Sequence, residues 1–260
     1  MPILTDFFHA FWFLKVMYNF NFSKKLVVLI GFLSFFTSVL AGSYDDFFKA
    51  IKIDDVRGVQ TLLSRGFDPN TLDEHGQSGL LLALKENSLK AAEVLIRFDQ
   101  TQIELRNEKD ESPLMLAALR GQKALVALLI WRDADVNKPG WTPLHYAASG
   151  GHVDIAQLLL DHSAYIDAES PNGTTPLMMA AMYGSPEAVK LLLTEGADRD
   201  HKNQLGMTAL DFAKQASRKD AIQMLQAQPP ASAATTPATT PASPKPAAAM
   251  PAAPKAAGTW

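Results

Sequence analysis

The residues of this chain that could bind a metal or transfer protons are its histidines and carboxylates, because the sequence contains no cysteine. Asp198, Asp200 and His201 lie close together and are ligand types that zinc accepts. Successive residues of an extended loop point in opposite directions, so this spacing does not converge the three side chains. We expect no metal site there.

The remaining histidines do not cluster with one another along the sequence. No G-x-S-x-G, H-E-x-x-H or phosphate-binding glycine loop is present to complete a catalytic or nucleotide site. We therefore expect no catalytic residue, no cofactor and no metal, and a protein that is not an enzyme. We expect a structural role for each histidine between residues 75 and 201, namely His75, His145, His152, His162 and His201.

A three-residue motif recurs along the chain: serine or threonine, then glycine, proline or alanine, then leucine. The repeated units that contain this motif must position the histidine and acidic side chains. The second residues of the motif are spaced 34, 30, 33 and 33 apart, and each copy is followed by small residues and then by a leucine run. The copies are Ser78-Gly79-Leu80, Ser112-Pro113-Leu114, Thr142-Pro143-Leu144, Thr175-Pro176-Leu177 and Thr208-Ala209-Leu210.

The fullest copy, Thr142-Pro143-Leu144-His145 followed by Ala147, resembles the ankyrin repeat, whose signature is T-P-L-H-x-A with a period near 33. The resemblance implies an all-α solenoid of stacked helix-turn-helix units joined by β-hairpin loops. It covers residues 42–226 as about six units, with a capping unit at each end. In such motifs the histidine hydrogen-bonds the motif itself, which is the role expected for His145.

The motif residues also make local physical sense. Thr142 and Thr175 are favourable N-caps, and the prolines that follow them occupy the first helical position, where no N–H is needed. Leu158 and Leu191 are expected in the core of the second helices. The positions expected to end the first helices in a left-handed conformation are Asn87, Gly121, Gly151 and Gly184.

The chain departs from the family pattern at several turns. Gly79 replaces a proline, and the hairpin between Asn137 and Pro143 takes six steps where Asp167 to Pro176 takes nine. Trp141 in this shortened hairpin either anchors a partner or packs in place of the missing residues. Residues that replace a usual turn glycine, and are expected to be strained, are Asp99, Asp110, Asp133 and Ser163.

The resemblance implies a concave partner-binding face built from hairpin tips and the exposed side of the first helices. The face is charged toward its N-terminal half and rich in aromatic and thioether side chains toward its C-terminal half. The main candidates for contacting a protein partner are Leu119, Arg120, Trp141, Met182, Tyr183 and Met207. Secondary candidates are Glu74, His75, Gln77, Glu108, Lys109, Glu111, Ser149, Pro171, Asn172, Thr174, Gln204, Leu205 and Gln215.

The N-terminal segment predicts export. Lys24-Lys25 precede an apolar run from Leu26 to Ala41 that closes with small residues typical of a signal-peptidase site. Sixteen residues are short for a membrane span, and translation from Met17 would leave an ordinary signal peptide. The alternative is an uncleaved anchor, which would be the protein's one contact with the membrane.

The composition of the rest of the chain agrees with export, and the protein is expected to be a monomer. Residues 227–260 are rich in alanine, proline and threonine with no acidic residue, which predicts a disordered tail. Removing residues 1–41 changes the net charge from −3 to −5, so no basic patch points to nucleic acid. The favoured hypothesis is a periplasmic scaffold, inhibitor or protector, and the alternative is a membrane-tethered structural protein of the envelope.

The first prediction concerns processing. Cleavage between Ala41 and Gly42 is expected, because the apolar run and its small C-terminal residues form a signal-peptidase site. N-terminal sequencing of the exported protein should read Gly-Ser-Tyr-Asp-Asp. An intact full-length chain in the cytosol would contradict export, and an intact membrane-bound chain would favour the uncleaved anchor.

Overall fold

A computed structural model describes residues 42–227, so the predicted signal segment and all but Ala227 of the predicted tail lie outside the described residues. The described part contains twelve helices. The first, α1, occupies residues 42–52. The others are α2 (Val56–Ser64), α3 (Gly79–Glu86), α4 (Leu89–Arg97), α5 (Pro113–Leu119), α6 (Lys123–Trp131), α7 (Pro143–Gly150), α8 (Val153–Asp161), α9 (Pro176–Tyr183), α10 (Pro186–Thr194), α11 (Ala209–Gln215) and α12 (Lys219–Gln226).

The helices form six consecutive pairs, which we number units 1 to 6, arranged in two layers. The first helices α3, α5, α7, α9 and α11 stack on one another as an inner layer, and the second helices from α2 to α12 stack as an outer layer. Within the described residues the only β-pairing is one isolated bridge between Leu72 and Ser78 in a hairpin. The predicted all-α repeat solenoid is confirmed.

Small residues let the inner helices approach closely. Ala117 and Ala118 of α5 and Ala147 and Ala148 of α7 are all fully buried between neighbouring helices. Gly79 begins α3 at the position that holds a proline in units 3, 4 and 5. A Cβ on Gly79 would lie 2.7 Å from the Phe47 ring, so glycine is needed there to admit the aromatic residue of the capping helix.

Both helix layers contribute large core residues, but the leucines predicted for the core of the outer helices are offset by one position. Leu158 and Leu191 are only partly buried, whereas Leu159 and Leu192 are fully buried. The reason is helical phase, since Ile155, Ala156 and Leu159 define the buried stripe of α8 at i, i+1 and i+4. The expectation that Leu158 and Leu191 are core positions is therefore wrong.

Three of the four predicted left-handed helix ends are confirmed. Asn87, Gly121 and Gly151 have φ of 61°, 71° and 69°. Gly184 is instead extended, with φ −75° and ψ −168°. The following Ser185-Pro186 pair begins α10 with a true N-cap, and proline disfavours helical geometry at the residue before it. Glycine is needed at 184 for space, because a Cβ would lie 2.3 Å from the Ala148 carbonyl oxygen.

Of the four positions at which another residue replaces a turn glycine, three have the predicted left-handed conformation and one does not. Asp110, Asp133 and Ser163 adopt positive φ of 61°, 62° and 65°, as predicted. Asp99 does not, because the preceding residue Phe98 leaves α4 in an extended conformation with φ −82° and ψ 117°. The freed carbonyls at the end of this helix are taken by the guanidinium group of Arg132 in the next unit, which donates to Ile96 and, at 3.3 Å, to Phe98.

His145 joins unit 4 to the hairpin of unit 5. Its Nδ1 accepts the Thr142 N–H at 3.1 Å, so Nε2 carries the proton and donates to the Thr174 carbonyl oxygen at 2.9 Å. The expected bond within the motif is confirmed, and the bond to the next hairpin extends it. His145 is fully buried, and burial lowers its pKa to about 4. Met115 and Met178 occupy the same position in units 3 and 5.

No helix between residues 42 and 227 is long and apolar enough to cross a membrane.

The offset between the paired leucines gives a stability prediction. Leu159→Ala should lower the free energy of unfolding by about 2 to 5 kcal/mol, because it leaves a cavity between α8 and its neighbours. Leu158→Ala removes the same atoms from a half-buried position and is the matched control, with a smaller expected loss. Urea unfolding followed by circular dichroism measures both, and equal losses would contradict the assigned helical phase.

The buried imidazole gives a pH prediction. The unfolded chain binds a proton at His145 near pH 6.5, but the folded chain does so only near pH 4. Between these values the unfolded state binds more protons, so the free energy of unfolding should fall as the pH is lowered, by roughly 3 kcal/mol in all.

The control for this effect is His145→Met, which places at this position the residue found in units 3 and 5. Urea unfolding at a series of pH values from 7 to 4 should show a flatter dependence in this variant than in the wild type. Identical pH dependence in the two proteins would show that His145 is not the group responsible.

Candidate protein-binding surface

The full-length hairpins are rigid loops closed by the same pair of backbone bonds. In unit 3 the Asn107 N–H donates to the Glu111 carbonyl at 3.2 Å, and the Asp110 N–H donates to the Asn107 carbonyl at 2.9 Å. The Asn107 carboxamide oxygen also accepts the N–H groups of Lys109 and Glu111 at 3.0 Å each. Units 5 and 6 repeat the backbone pair at Ser170 and Asn203, so their hairpin tips project in fixed conformations.

A ladder of side-chain acceptors holds successive hairpins in register. The Asn70 carboxamide oxygen accepts the Gln102 N–H at 2.7 Å, and Glu104 does the same for Asp135 at 2.9 Å. The series continues with Asn137 accepting the Tyr165 N–H at 2.8 Å and Asp167 accepting the Asp198 N–H at 3.0 Å. Burial raises the pKa of the Glu104 carboxyl in this ladder.

A second ladder fixes the opposite ends of the inner helices. In units 3 to 6, the residue that precedes the outer helix donates to a carbonyl at the end of the previous unit's inner helix. The bonds are Gln122 to Leu84 at 3.2 Å, His152 to Leu119 at 3.0 Å, Ser185 to Gly151 at 3.2 Å, and Arg218 to Gly184. The structural role expected for His152 is confirmed, since its ring also fills the space beside Gly121 and Gly150.

The shortened hairpin of unit 4 is stabilised by a buried lysine. Lys138 is 3% exposed, and its ammonium group donates to the Asp110 carbonyl oxygen at 3.1 Å and to the Asp110 carboxylate. Arg106 donates to the same carboxylate at 3.1 Å. The hydrogen bonds from Lys138 and then Arg106 hold the pKa of Asp110 below its usual range. On the other side, Gly140 lies against Pro171, with 3.6 Å from its ideal Cβ position to the proline ring.

Trp141 lies at the base of this shortened hairpin and is half-buried. Its ring meets the edge of His145 at a centroid distance of 5.2 Å and an interplanar angle of 74°. Edge-to-face contact of this kind stabilises a fold, and the exposed remainder of the indole stays available to a partner. Both roles considered for Trp141 from the sequence therefore remain open.

The structure places the other main candidates on one surface, which we call the inner face. It consists of the hairpin tips and the exposed sides of the inner helices. Arg120 and Tyr183 are exposed, with Tyr183 at 58%, whereas Leu119, Met182 and Met207 are half-buried. Thr174 was also a candidate, but it is 2% exposed because its carbonyl accepts the His145 proton and its N–H bonds Ser170. It cannot contact a partner directly.

A row of half-exposed apolar residues on the inner face was missed from the sequence. Leu116, Tyr146 and Met179 occupy equivalent positions, three residues before Leu119, Ser149 and Met182. Side chains three apart share one side of a helix, so the i, i+3 spacing was the signal that could have revealed them. The Tyr146 hydroxyl donates to the Glu111 carboxylate at 3.1 Å. Burial, and to a smaller extent the negative charge of Glu111, raises the pKa of Tyr146.

The carboxylates and histidine considered for a metal have other contacts. The Asp198 carboxylate accepts the Asp200 N–H at 2.9 Å in a local turn. His201 Nε2 lies 3.6 Å from a carboxylate oxygen of Glu169. Among residues 42–227 no group of three or more histidine or acidic side chains is arranged to hold a metal ion.

Comparison with curated proteins finds repeat-containing relatives that are much longer than the matched region. Ankyrin repeat and SAM domain-containing protein 6 of Rattus norvegicus is 34% identical over 109 residues, covering 40% of this chain and 12% of that protein. B-cell lymphoma 3 protein homolog of Mus musculus is 31% identical over 123 residues, covering 45% and 28%. The chain thus spans less than a third of either relative.

Two solved bacterial structures share the fold over most of their length. An ankyrin repeat domain from Acinetobacter baumannii AYE gives a TM-score of 0.60 at 24% identity, covering 69% of this chain and 95% of that one. A chain from the complex of a predatory endopeptidase of Bdellovibrio bacteriovorus with an immunity protein gives 0.61 at 28% identity, covering 69% and 96%.

The family comparison agrees with the stacked units and their ladders. The family model described as ankyrin repeats in three copies matches residues 47–139, 99–170, 114–203 and 163–233. These matches together cover well over half of the sequence, and the chain belongs to the ankyrin repeat family.

Proposed function

We propose that this protein is an exported, non-catalytic binding module that acts in the periplasm as an inhibitor or protector of a protein partner. The observation that carries the proposal is the inner face. The hairpins and inner helices present the exposed side chains of Arg120 and Tyr183 beside the half-buried Trp141, Met182 and Met207. Tryptophan, tyrosine and arginine are the residues that most often dominate binding energy at interfaces.

Export is supported by the apolar segment that precedes the first helix, with Lys24-Lys25 before it and small residues at its end. An inhibitory or protective role is supported by the bacterial complex of an endopeptidase with an immunity protein, since one of its chains shares this fold. Ankyrin repeat proteins bind protein partners, and a monomer suffices for this role because each unit is covered by its own neighbours.

Tyr183 provides the sharpest test of the binding surface. Its ring is 58% exposed at the end of α9, so Tyr183→Ala should leave stability near that of the wild type. Loss of an aromatic anchor should weaken binding of the native partner roughly thirtyfold. Trp141→Ala should weaken binding similarly, with a further stability loss of about 1 kcal/mol from the ring contact with His145.

Affinity capture from periplasmic extract, followed by titration of the captured partner, measures these effects. The matched control is Tyr165→Ala, because Tyr165 is 67% exposed in the loop after the outer helix α8. Binding equal to the wild type in both Tyr183→Ala and Trp141→Ala would place the partner elsewhere. A Trp141→Ala variant that loses several kcal/mol of stability but binds normally when folded would assign Trp141 to packing alone.

A further inference from the structure

A cleft of about 270 Å³ opens on the inner face between units 2 and 3. Its walls come from the two hairpins and from the last turns of α3 and α5. Leu116 and Leu119 form the apolar part of the lining, and the charged part comes from both the hairpin tip and the helix ends. The cleft therefore combines an apolar floor with a charged rim, which is the composition of a peptide-binding site.

The charged side chains of this rim differ in whether they already have a hydrogen-bond or ion-pair partner. Within residues 42–227, the Lys85, Lys109 and Arg120 side chains form no hydrogen bond or ion pair, and all three are exposed. The Glu111 carboxylate, in contrast, already accepts from the Tyr146 hydroxyl at 3.1 Å and from the Asn107 carboxamide at 2.7 Å.

Carboxylates also lie around the cleft. Glu74 lies 3.6 Å from His75, and Asp110 is bound by Lys138 and Arg106. Within the described residues, Glu108 on the rim and the exposed Glu86 beside Lys85 form no ion pair. The lining itself has three cations against the carboxylates of Glu108 and Glu111, a formal charge of +1 in a protein whose net charge is −3.

The equivalent positions in later units change character. The position of Lys85 and Leu119 is held by Ser149, Met182 and Gln215, and the position of Arg120 is held by Gly150, Tyr183 and Ala216. No charge follows Arg120 along these two rows. Stacked helices lie about 8–10 Å apart, so Tyr183 in unit 5 is roughly 20 Å from Arg120 in unit 3. An extended segment spans that distance with about six residues.

We propose that the inner face binds an extended segment of a protein partner in one direction, with carboxylates held by Lys85 and Arg120 and apolar side chains held by Met182 and Tyr183. The inference rests on the proposed function and adds the chemistry and polarity of the partner. An acidic segment is repelled by the net negative charge of the molecule as a whole, and Lys85 and Arg120 are the exposed cations at the ends of inner helices α3 and α5 that can hold its carboxylates by charge-assisted hydrogen bonds. The charge pattern therefore fixes the direction of the bound segment.

A random 12-residue peptide library panned on the immobilised full chain tests the proposal. Retained peptides should be enriched in Asp and Glu, with apolar residues about six positions away. Their synthetic copies should bind the Lys85→Gln, Arg120→Gln double variant about tenfold more weakly or worse, because charge-assisted hydrogen bonds are lost. Fluorescence polarisation of the labelled peptides measures these affinities.

The matched control is Lys90→Gln, Lys190→Gln, which removes the same charge from two exposed lysines of outer helices and should change affinity less than twofold. Equal binding to the two double variants, no acidic enrichment, or no retained peptide would overturn the proposal. Peptides that lose affinity on Tyr183→Ala but not on the Lys85 and Arg120 changes would leave the proposed function intact. Peptides that depend on neither site would contradict both.

Discussion

The close stacking of each unit on the next is the constraint on which the rest of this structure depends. Fully buried alanines such as Ala148 bring the inner helices together, and Gly184 is held where a Cβ would collide with the carbonyl of that alanine. Such approach would leave helix-end carbonyls without water, but Gln122, His152 and their equivalents donate to them from the following unit. Packing and hydrogen bonding therefore require each other, and neither is complete within a single unit.

The sequence predicted a residue's conformation correctly where interactions within its own unit determine that conformation, and incorrectly where contacts with another unit do. The cap at Thr175 and the left-handed turn at Gly151 follow from local chemistry and were predicted correctly. Gly184 was placed in the wrong conformation because its glycine serves contact with the previous helix. Asp99 was misassigned because the guanidinium of Arg132, 33 residues away, satisfies the carbonyls that a left-handed turn would otherwise satisfy.

The candidate site was predicted in the same uneven way. Exposed ends of the inner helices, including Arg120 and Tyr183, follow from their register in the repeat. Thr174 was misjudged because a bond from His145 in the preceding unit buries it. The shortened hairpin was predicted from its number of residues. The burial of Lys138, which joins this hairpin to Asp110, could not be predicted in that way. A lysine in a polar turn is ordinarily solvated, and its burial depends on where the missing residues leave space.

Stability and recognition are thus carried by different residues of the same helices. In α9, Leu177, Ala180 and Ala181 are buried by neighbouring units, and Met182 and Tyr183 lie at the free end of the helix. In other units the position of Met182 holds lysine, leucine, serine or glutamine, and the position of Tyr183 holds glutamate, arginine, glycine or alanine, without disturbing the stack. Since the fold tolerates this variety, the observed order of cations in units 2 and 3 and aromatic or thioether groups in unit 5 is not imposed by packing. It is the part of the sequence left free to match a partner.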